Sequence, residues 1–115
     1  ISPDNLHTGN TANYSVTHIK HQKKMLRLNC FFQASEGRYT EALEAAMALT
    51  AASRNDAGCV AYDTFESATR PDVFMICETW ADEASLEQHM QAPHFKQYVP
   101  MIEACGTLKL EKFTF

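Results

Sequence analysis

Four segments of the chain place apolar residues at the spacing of a β-strand, in which side chains alternate between two faces. The predicted strands cover residues 25–33, 59–66, 73–80 and 108–115. Both faces of the first strand carry bulky residues, which predicts a sheet that is covered on both sides. The polar Asn29 in this strand then needs a partner, either as a structural amide or as a donor into a pocket.

The segment between the first two predicted strands has the spacing of an amphipathic helix. It covers residues 38–54, is rich in alanine, and follows Ser35, a plausible N-cap. Alanines allow a helix to approach a sheet closely. The run Asn55-Asp56-Ala57-Gly58 predicts the end of the helix, because glycine readily adopts the left-handed backbone of a C-terminal turn.

Two more helical segments follow the third strand. Asp82 is a good N-cap for a helix over residues 83–90, whose predicted inward positions are Leu86, His89 and Met90. Pro93 suits the first turn of the next helix, so His94 lies just inside its N-terminus. Pro100 predicts a kink in that helix or a break between two turns.

The order β-α-β-β-α-β predicts an α+β, ferredoxin-like antiparallel sheet with its helices on one face. The other face also carries apolar residues, among them Val73, Met75 and Cys77. A domain of this size cannot cover that face unaided. We therefore expect a homodimer in which two sheets pack face to face.

Length and charge narrow the class of protein further. The 115 residues suffice for one domain, which we assign to residues 25–115. The net charge of −4, without a cluster of positive residues, argues against nucleic acid as a partner. No apolar run approaches the roughly 18 residues that cross a bilayer, so no membrane partner is expected. The four cysteines have no CxxC spacing and predict free thiols in a reducing, cytoplasmic setting.

Residues 1–24 are polar and are interpreted as an N-terminal arm or a tag-derived segment, with Met25 a candidate initiator. Residues 14–19 could add a short strand. His18 and His21 lack a third ligand nearby, which favours a solvated arm over a metal site.

The predicted domain offers no obvious cofactor site either. His89 and His94 fall on separate helical turns, and no carboxylate or thiol obviously converges on them, so no metal site is predicted. No glycine fingerprint for a dinucleotide is present, and no bound flavin or nicotinamide is expected.

Four short motifs resemble those of the antibiotic biosynthesis monooxygenase domain. They occur in order and with natural loop lengths over about residues 25–115. The resemblance implies a dimeric α+β barrel with a pocket in each subunit between the sheet and the helices. It also implies that Asn29, Tyr62, Trp80, His89 and His94 lie near that pocket. The motifs are Gly58-Cys59-Val60-Ala61-Tyr62, Glu78-Thr79-Trp80, Leu86-x-x-His89 and Pro93-His94-Phe95.

Chemical roles can be assigned to these residues, each beside a structural alternative. His89 could act as a base towards a phenol, oriented by Glu78 or another acceptor, or be a hydrogen-bonded structural histidine. Trp80 could present its face to an aromatic substrate or be a core residue. Asn29 and Tyr62 could bind substrate oxygens.

Two of the assignments depend on neighbours that the sequence does not fix. His94 could contact substrate, at a helix start whose dipoles disfavour positive charge, or lie on the surface or dimer rim. Glu78 shares a face with Trp80 and could pair with Arg27, either in a dimer-stabilising salt bridge or in catalysis.

The resemblance points to cofactor-independent monooxygenation of a quinol-like or polyphenolic aromatic molecule by O2. Such a substrate can pass an electron to dioxygen once it is deprotonated, so the protein need supply only a dry pocket, a base and donors. The first alternative is a small-ligand-binding dimer without catalysis. The second is a haem-degrading monooxygenase, which fits less well because His89 and Tyr98 stand roughly where such enzymes have a second tryptophan and an axial histidine.

Overall fold

The structure is a computed structural model that describes residues 24–115. The prediction of an additional strand at residues 14–19, and the histidines His18 and His21, lie outside the described residues. The helices and strands confirm the predicted order β-α-β-β-α-β. In chain order they are Leu26–Ala34 (β1), Tyr39–Ser53 (α1), Cys59–Glu66 (β2), Val73–Trp80 (β3), Glu83–Gln91 (α2), Pro93–Ala104 (α3) and Gly106–Thr114 (β4).

The four strands form one antiparallel sheet in the order β2-β3-β1-β4. This is the arrangement of a ferredoxin-like domain, and it confirms the predicted α+β fold. The helices pack on one side, which we call the covered face. There Phe32 and Phe74 stack with their ring centroids 4.6 Å apart, and both are almost completely buried. The alanines of α1, including Ala42 and Ala46, are buried and allow that helix to approach closely.

The opposite side of the sheet, which we call the open face, is not covered by any described residue. Phe65 and Phe113 are 52% and 51% exposed, and Phe31 also lies on this face. The register places Phe31 opposite Met75, so the open face is apolar across its central strands as well. The predicted cover by a second copy stays a prediction.

Several helix boundaries differ from the prediction. Arg38, rather than Ser35, occupies the N-cap position of α1, because Ser35 instead accepts a backbone hydrogen bond from Arg38 at 3.0 Å across a turn that contains Gly37. Asp82 caps α2 as predicted, and its side chain accepts a hydrogen bond from the Ser85 N–H at 2.8 Å. The helix α3 continues through Pro100 without a break.

The structure also bears on the predictions of free thiols and of no membrane-spanning segment. All four cysteines lie within residues 24–115 and are free; Cys105 is buried and the other three are half-buried. Over the same range, none of the helices combines the length and the apolar character that a bilayer crossing requires.

Candidate functional site

A cavity of about 240 Å³ lies between the covered face of the sheet and the helices. Its wall is mostly apolar, with residues from all four strands and all three helices. Three buried side chains bring polar groups to this wall: Tyr62, Glu78 and His89. A mostly apolar cavity with a few convergent polar groups is the usual form of a small-molecule site. The apolar residues of the wall include Leu28, Leu49, Ile76, Leu86, Phe95, Val99 and Ile102.

Glu78 is the carboxyl group of this wall. Residues two apart in a strand share a face, so Trp80 lies beside it, and the indole Nε1 donates to Glu78 Oε1 at 2.9 Å. The thiol of Cys30 donates to Oε2 at 3.5 Å. Burial raises the pKa of Glu78, although these hydrogen bonds and the nearby His89 act in the opposite direction. The neutral acid is therefore favoured over the charged form more than in water.

Arg27 is not the partner of Glu78 that the sequence suggested. Alternation along β1 places Arg27 on the open face, where its Nε donates to Thr79 Oγ1 at 3.1 Å. Glu78 points to the other side of the sheet. Glu78 instead accepts hydrogen bonds from Trp80 on its own strand and from Cys30 on β1.

His89 is the basic group of the wall and is only 2% exposed. Its ring packs against Trp80, with centroids 4.5 Å apart, and against the edge of Phe95 at 5.2 Å. The Nδ1 atom lies 2.8 Å from Asp56 Oδ2. Because a carboxylate only accepts, His89 Nδ1 carries the proton and donates a hydrogen bond to Asp56. In the neutral ring, Nε2 is then the basic nitrogen.

Asp56 is the residue of this cluster that the sequence did not predict. The sequence offered Glu78 or an unnamed acceptor to orient His89, whereas the structure places Asp56 there, from the loop between α1 and β2. Gly58 holds this loop with a φ of +77°, and its carbonyl accepts a hydrogen bond from the Ala81 N–H at 2.8 Å. This bond fixes the loop beside the start of α2. The only sequence signal for Asp56 was its place in the run that ends α1, where an aspartate is common for its role in turns.

His94 shares the same carboxylate oxygen. Its Nε2 atom lies 2.9 Å from Asp56 Oδ2, and its ring centroid is 5.9 Å from that of His89. The expectation that no carboxylate converges on the two histidines was therefore wrong. His89 and His94 both contact Asp56, although they lie 33 and 38 positions away from it in the chain. His94 does not line the cavity, and its side chain is 19% exposed.

Two other residues predicted near the pocket lie behind its wall or across the sheet from it. Trp80 is completely buried and does not line the cavity; it supports Glu78 and His89 from behind. Asn29 lies on the open face, opposite Cys77 and Glu111 on the neighbouring strands. It cannot reach the cavity, because the sheet separates the two.

Tyr62 lies at the cavity wall, as the resemblance implied, and is 3% exposed. Its ring meets Trp80 edge to face with centroids 6.3 Å apart, and lies 5.5 Å from the ring of His89. Burial raises the pKa of Tyr62, and the neighbouring Glu78 adds to that effect. The phenol is therefore neutral over the ordinary pH range and can serve as a hydrogen-bond donor.

Comparison with known proteins relates this chain to one described family and to several solved structures. Residues 25–101 match the family described as antibiotic biosynthesis monooxygenase. A solved structure of a Bacteroides thetaiotaomicron protein of unknown function, described as a possible oxidoreductase, is 52% identical with a TM-score of 0.79. That match covers 81% of this chain and 99% of the other. A Pseudomonas aeruginosa structure is 29% identical with a TM-score of 0.76, covering 83% of this chain and 97% of that one.

Two curated relatives extend the comparison. A Bacillus subtilis protein, named provisionally as the monooxygenase YcnE, is 31% identical over 75 residues. The match covers 65% of this chain and 79% of the relative. An uncharacterized Synechocystis protein is 36% identical over 47 residues, which are 41% of this chain; the chain spans about a third of that relative, 32% of its length.

Proposed function

The chain belongs to the antibiotic biosynthesis monooxygenase family, and on that basis we propose that it oxidises a quinol-like or polyphenolic molecule with O2 and no bound cofactor. One observation carries the proposal. A buried histidine lines an apolar cavity, and a carboxylate holds its other ring nitrogen. This arrangement provides a base beside a mostly apolar wall.

The base acts on a phenolic hydroxyl of the substrate. His89 Nε2 takes the proton, and Asp56 stabilises the imidazolium that forms. The deprotonated quinol is electron-rich enough to reduce O2 directly, so a carbon–oxygen bond forms at the ring. One oxygen atom remains on the ring as a carbonyl and the other leaves as water. The substrate supplies all the electrons, and no further reductant is needed.

Glu78 and Tyr62 donate hydrogen bonds to the anionic oxygens that form during this reaction. Both line the cavity, and burial raises the pKa of each. This favours the neutral form of each group, which can donate a hydrogen bond. Neutral donors in a water-poor site stabilise a developing oxyanion more than they do in water. Trp80 keeps Glu78 in place, and Asn29 takes no part because it lies on the open face.

The size of the cavity limits the substrate. A cavity of roughly 150 Å³ accommodates benzene. The cavity here, about 240 Å³, therefore suits a compound of one or two fused rings. Its apolar wall favours a substrate with few polar substituents beyond the reacting hydroxyls.

Oxygen uptake tests the proposal. The purified protein is supplied with a panel of benzene and naphthalene hydroquinones and polyphenols, and O2 consumption is followed with an electrode. We expect His89→Gln to lower the enzymatic rate by about 100-fold to 10,000-fold. Asp56→Asn should lower it as well, because the amide no longer fixes the tautomer of His89. Glu87→Gln, an exposed substitution on the same helix, is the matched control.

Two outcomes would count against the proposal. Full activity of a folded His89→Gln protein would remove His89 from the mechanism. Tight binding of several panel compounds without any O2 consumption would instead support a ligand-binding protein without catalysis. A Soret band on titration with haem, lost when a reductant and O2 are added, would point to haem degradation.

A further inference from the structure

We propose that Asp56, His89 and His94 bind a divalent transition-metal ion such as Zn²⁺ or Co²⁺. Each contributes one ligand atom: a carboxylate oxygen, Nδ1 of His89 and Nε2 of His94. These three atoms lie within 4.8 Å of one another. Imidazole nitrogens with a carboxylate are the donor set of many zinc, cobalt and iron sites, and are poorly suited to Mg²⁺ or Ca²⁺, which prefer oxygen alone.

The existing distances require only a small adjustment. Metal–ligand bonds of about 2.0–2.2 Å place ligand atoms roughly 3.3 Å apart in a tetrahedral site. Asp56 Oδ2 is already 2.8 Å and 2.9 Å from the two nitrogens. The two nitrogens then have to approach each other by at most roughly 1.5 Å, while the carboxylate turns outward. A catalytic or binding site of this kind keeps a fourth position open for water.

One side of the site is fixed and the other can move. His89 is buried among Trp80, Tyr62 and Phe95, and its side chain is 1% exposed. His94 lies in the first turn of α3, where its side chain is 19% exposed. An ion can therefore enter from the His94 side without opening the cavity. The movement needed falls on the exposed ligand.

The proton positions also allow binding. Asp56 now accepts a hydrogen bond from each histidine, so both ligand nitrogens carry protons in the metal-free state. Each neutral imidazole can shift its proton to its other nitrogen and offer the freed lone pair to the ion.

This inference does not rest on the proposed oxidation. Metal binding would nevertheless affect the proposed oxidation. With an ion on Nδ1, His89 carries its proton on Nε2 and can no longer act as a base. Metal binding and proton abstraction by His89 are therefore mutually exclusive. Zn²⁺ should inhibit the oxidation if the proposed function is right, and should bind regardless if it is wrong.

The test uses the full chain after treatment with a chelator. Titration with Co²⁺ alone, followed by visible absorption, should give one saturable site with the d–d bands of a low-symmetry complex, and Zn²⁺ should displace the Co²⁺. Mg²⁺ should not. Asp56→Asn and His94→Asn should each weaken binding by at least about 10-fold to 100-fold. The matched control is His18→Asn/His21→Asn, which removes the two histidines between residues 15 and 25 and should leave the site intact.

A second measurement on the unaltered protein does not depend on the folding of any variant. Zn²⁺ should shift the ring ¹⁵N resonances of His89 and His94 together, at one equivalent. No saturable Co²⁺ binding would overturn the proposal. Unchanged Co²⁺ binding in folded Asp56→Asn and His94→Asn proteins would overturn it as well, and loss of binding in the control would then locate the ion on the other histidines. ¹⁵N shifts confined to other histidines would also overturn the proposal.

Discussion

The covered and open faces of the sheet begin from the same alternating pattern and differ in what lies over them. On the covered face, Phe74 is completely buried and Glu78 is 5% exposed. On the open face, Phe65 and Phe113 are each about half exposed. Helices exclude water from the covered face, and this raises the pKa of Glu78. The open face keeps apolar surface in water, which a second molecule could cover. The helices that cover one face, more than the types of residue on it, therefore determine which side of the sheet has buried groups with shifted pKa values.

The largest difference between the faces should appear on removing one aromatic ring from each. Phe74→Ala leaves a hole among packed neighbours and should lower the free energy of unfolding by about 3–5 kcal/mol. Phe113→Ala removes a half-exposed ring and should cost less than about 1 kcal/mol at low protein concentration. Urea unfolding followed by circular dichroism measures both. Equal losses would mean that the two faces are buried alike in solution.

Two glycines test how tightly the loop that carries Asp56 is packed against α2. Gly58 and Gly37 both have left-handed backbones, with φ of +77° and +75°. A methyl group on Gly58 would collide with the side chain of Ser85, whereas one on Gly37 would meet no atom within 4 Å. We expect Gly58→Ala to cost about 2–4 kcal/mol.

Gly37→Ala is the matched control, and it should cost only about 1 kcal/mol, the backbone penalty alone. The difference between the two variants, measured by urea unfolding, isolates the collision with Ser85. If both lose the same stability, the loop that carries Asp56 is not held against α2 as tightly as the structure indicates.

The buried carboxyl predicts a pH dependence specific to the covered face. The pKa of Glu78 is raised in the folded protein, so the folded state holds its proton to higher pH than the unfolded chain does. Stability due to this group is full below the ordinary carboxyl pKa and is lost as pH rises through the raised value, by about 1.4 kcal/mol for each pKa unit. Glu78→Gln should therefore gain stability relative to wild type as pH rises.

Urea unfolding at about pH 4 and about pH 8 measures that gain. The exposed Glu87→Gln is again the control, and its difference from wild type should change far less with pH. A Glu78→Gln protein whose stability runs parallel to wild type across this range would contradict a raised pKa of Glu78 in the folded protein.

The smallest effect on folding should come from a charge on the open face. Phe65→Glu should change the unfolding free energy of the monomer by about 0.5 kcal/mol or less. If a second copy covers this face, the same change should dissociate the assembly, which sedimentation velocity detects. Met47→Glu, at a 59% exposed position on the outer side of α1, should leave the sedimentation coefficient unchanged. A wild-type protein that sediments as a monomer at all concentrations would remove the basis for a paired sheet.

Much of the fold could be predicted because local signals agreed with one another. Alternation and turn residues predicted β2 and β3 with the same first and last residues as in the structure. Asp82 correctly predicted the start of α2. The cap of α1 was misplaced because Ser35, a residue type that favours caps, instead begins the turn that ends at Arg38, three residues later.

The site was harder to predict because it depends on contacts between distant parts of the chain. Tyr62 and His89 were assigned to a pocket and do line the cavity. Asp56 could not be found in the same way, since its role depends on a loop being held over α2 by the bond between Gly58 and Ala81. Asn29 illustrates the reverse error. Its position along the strand suggested a pocket donor, but the face on which it lies is decided by where the helices pack.

The junction between α2 and α3 has a consequence for how this fold can vary. Ala92 is both the last cap of α2 and the first cap of α3, with an extended backbone of φ −68° and ψ 148°. One residue thus joins the two helices that carry His89 and His94. An insertion there would separate the histidines at once, whereas the hairpin loop between β2 and β3 can change length without affecting them. The distance between these two side chains therefore depends on the length of this one-residue junction.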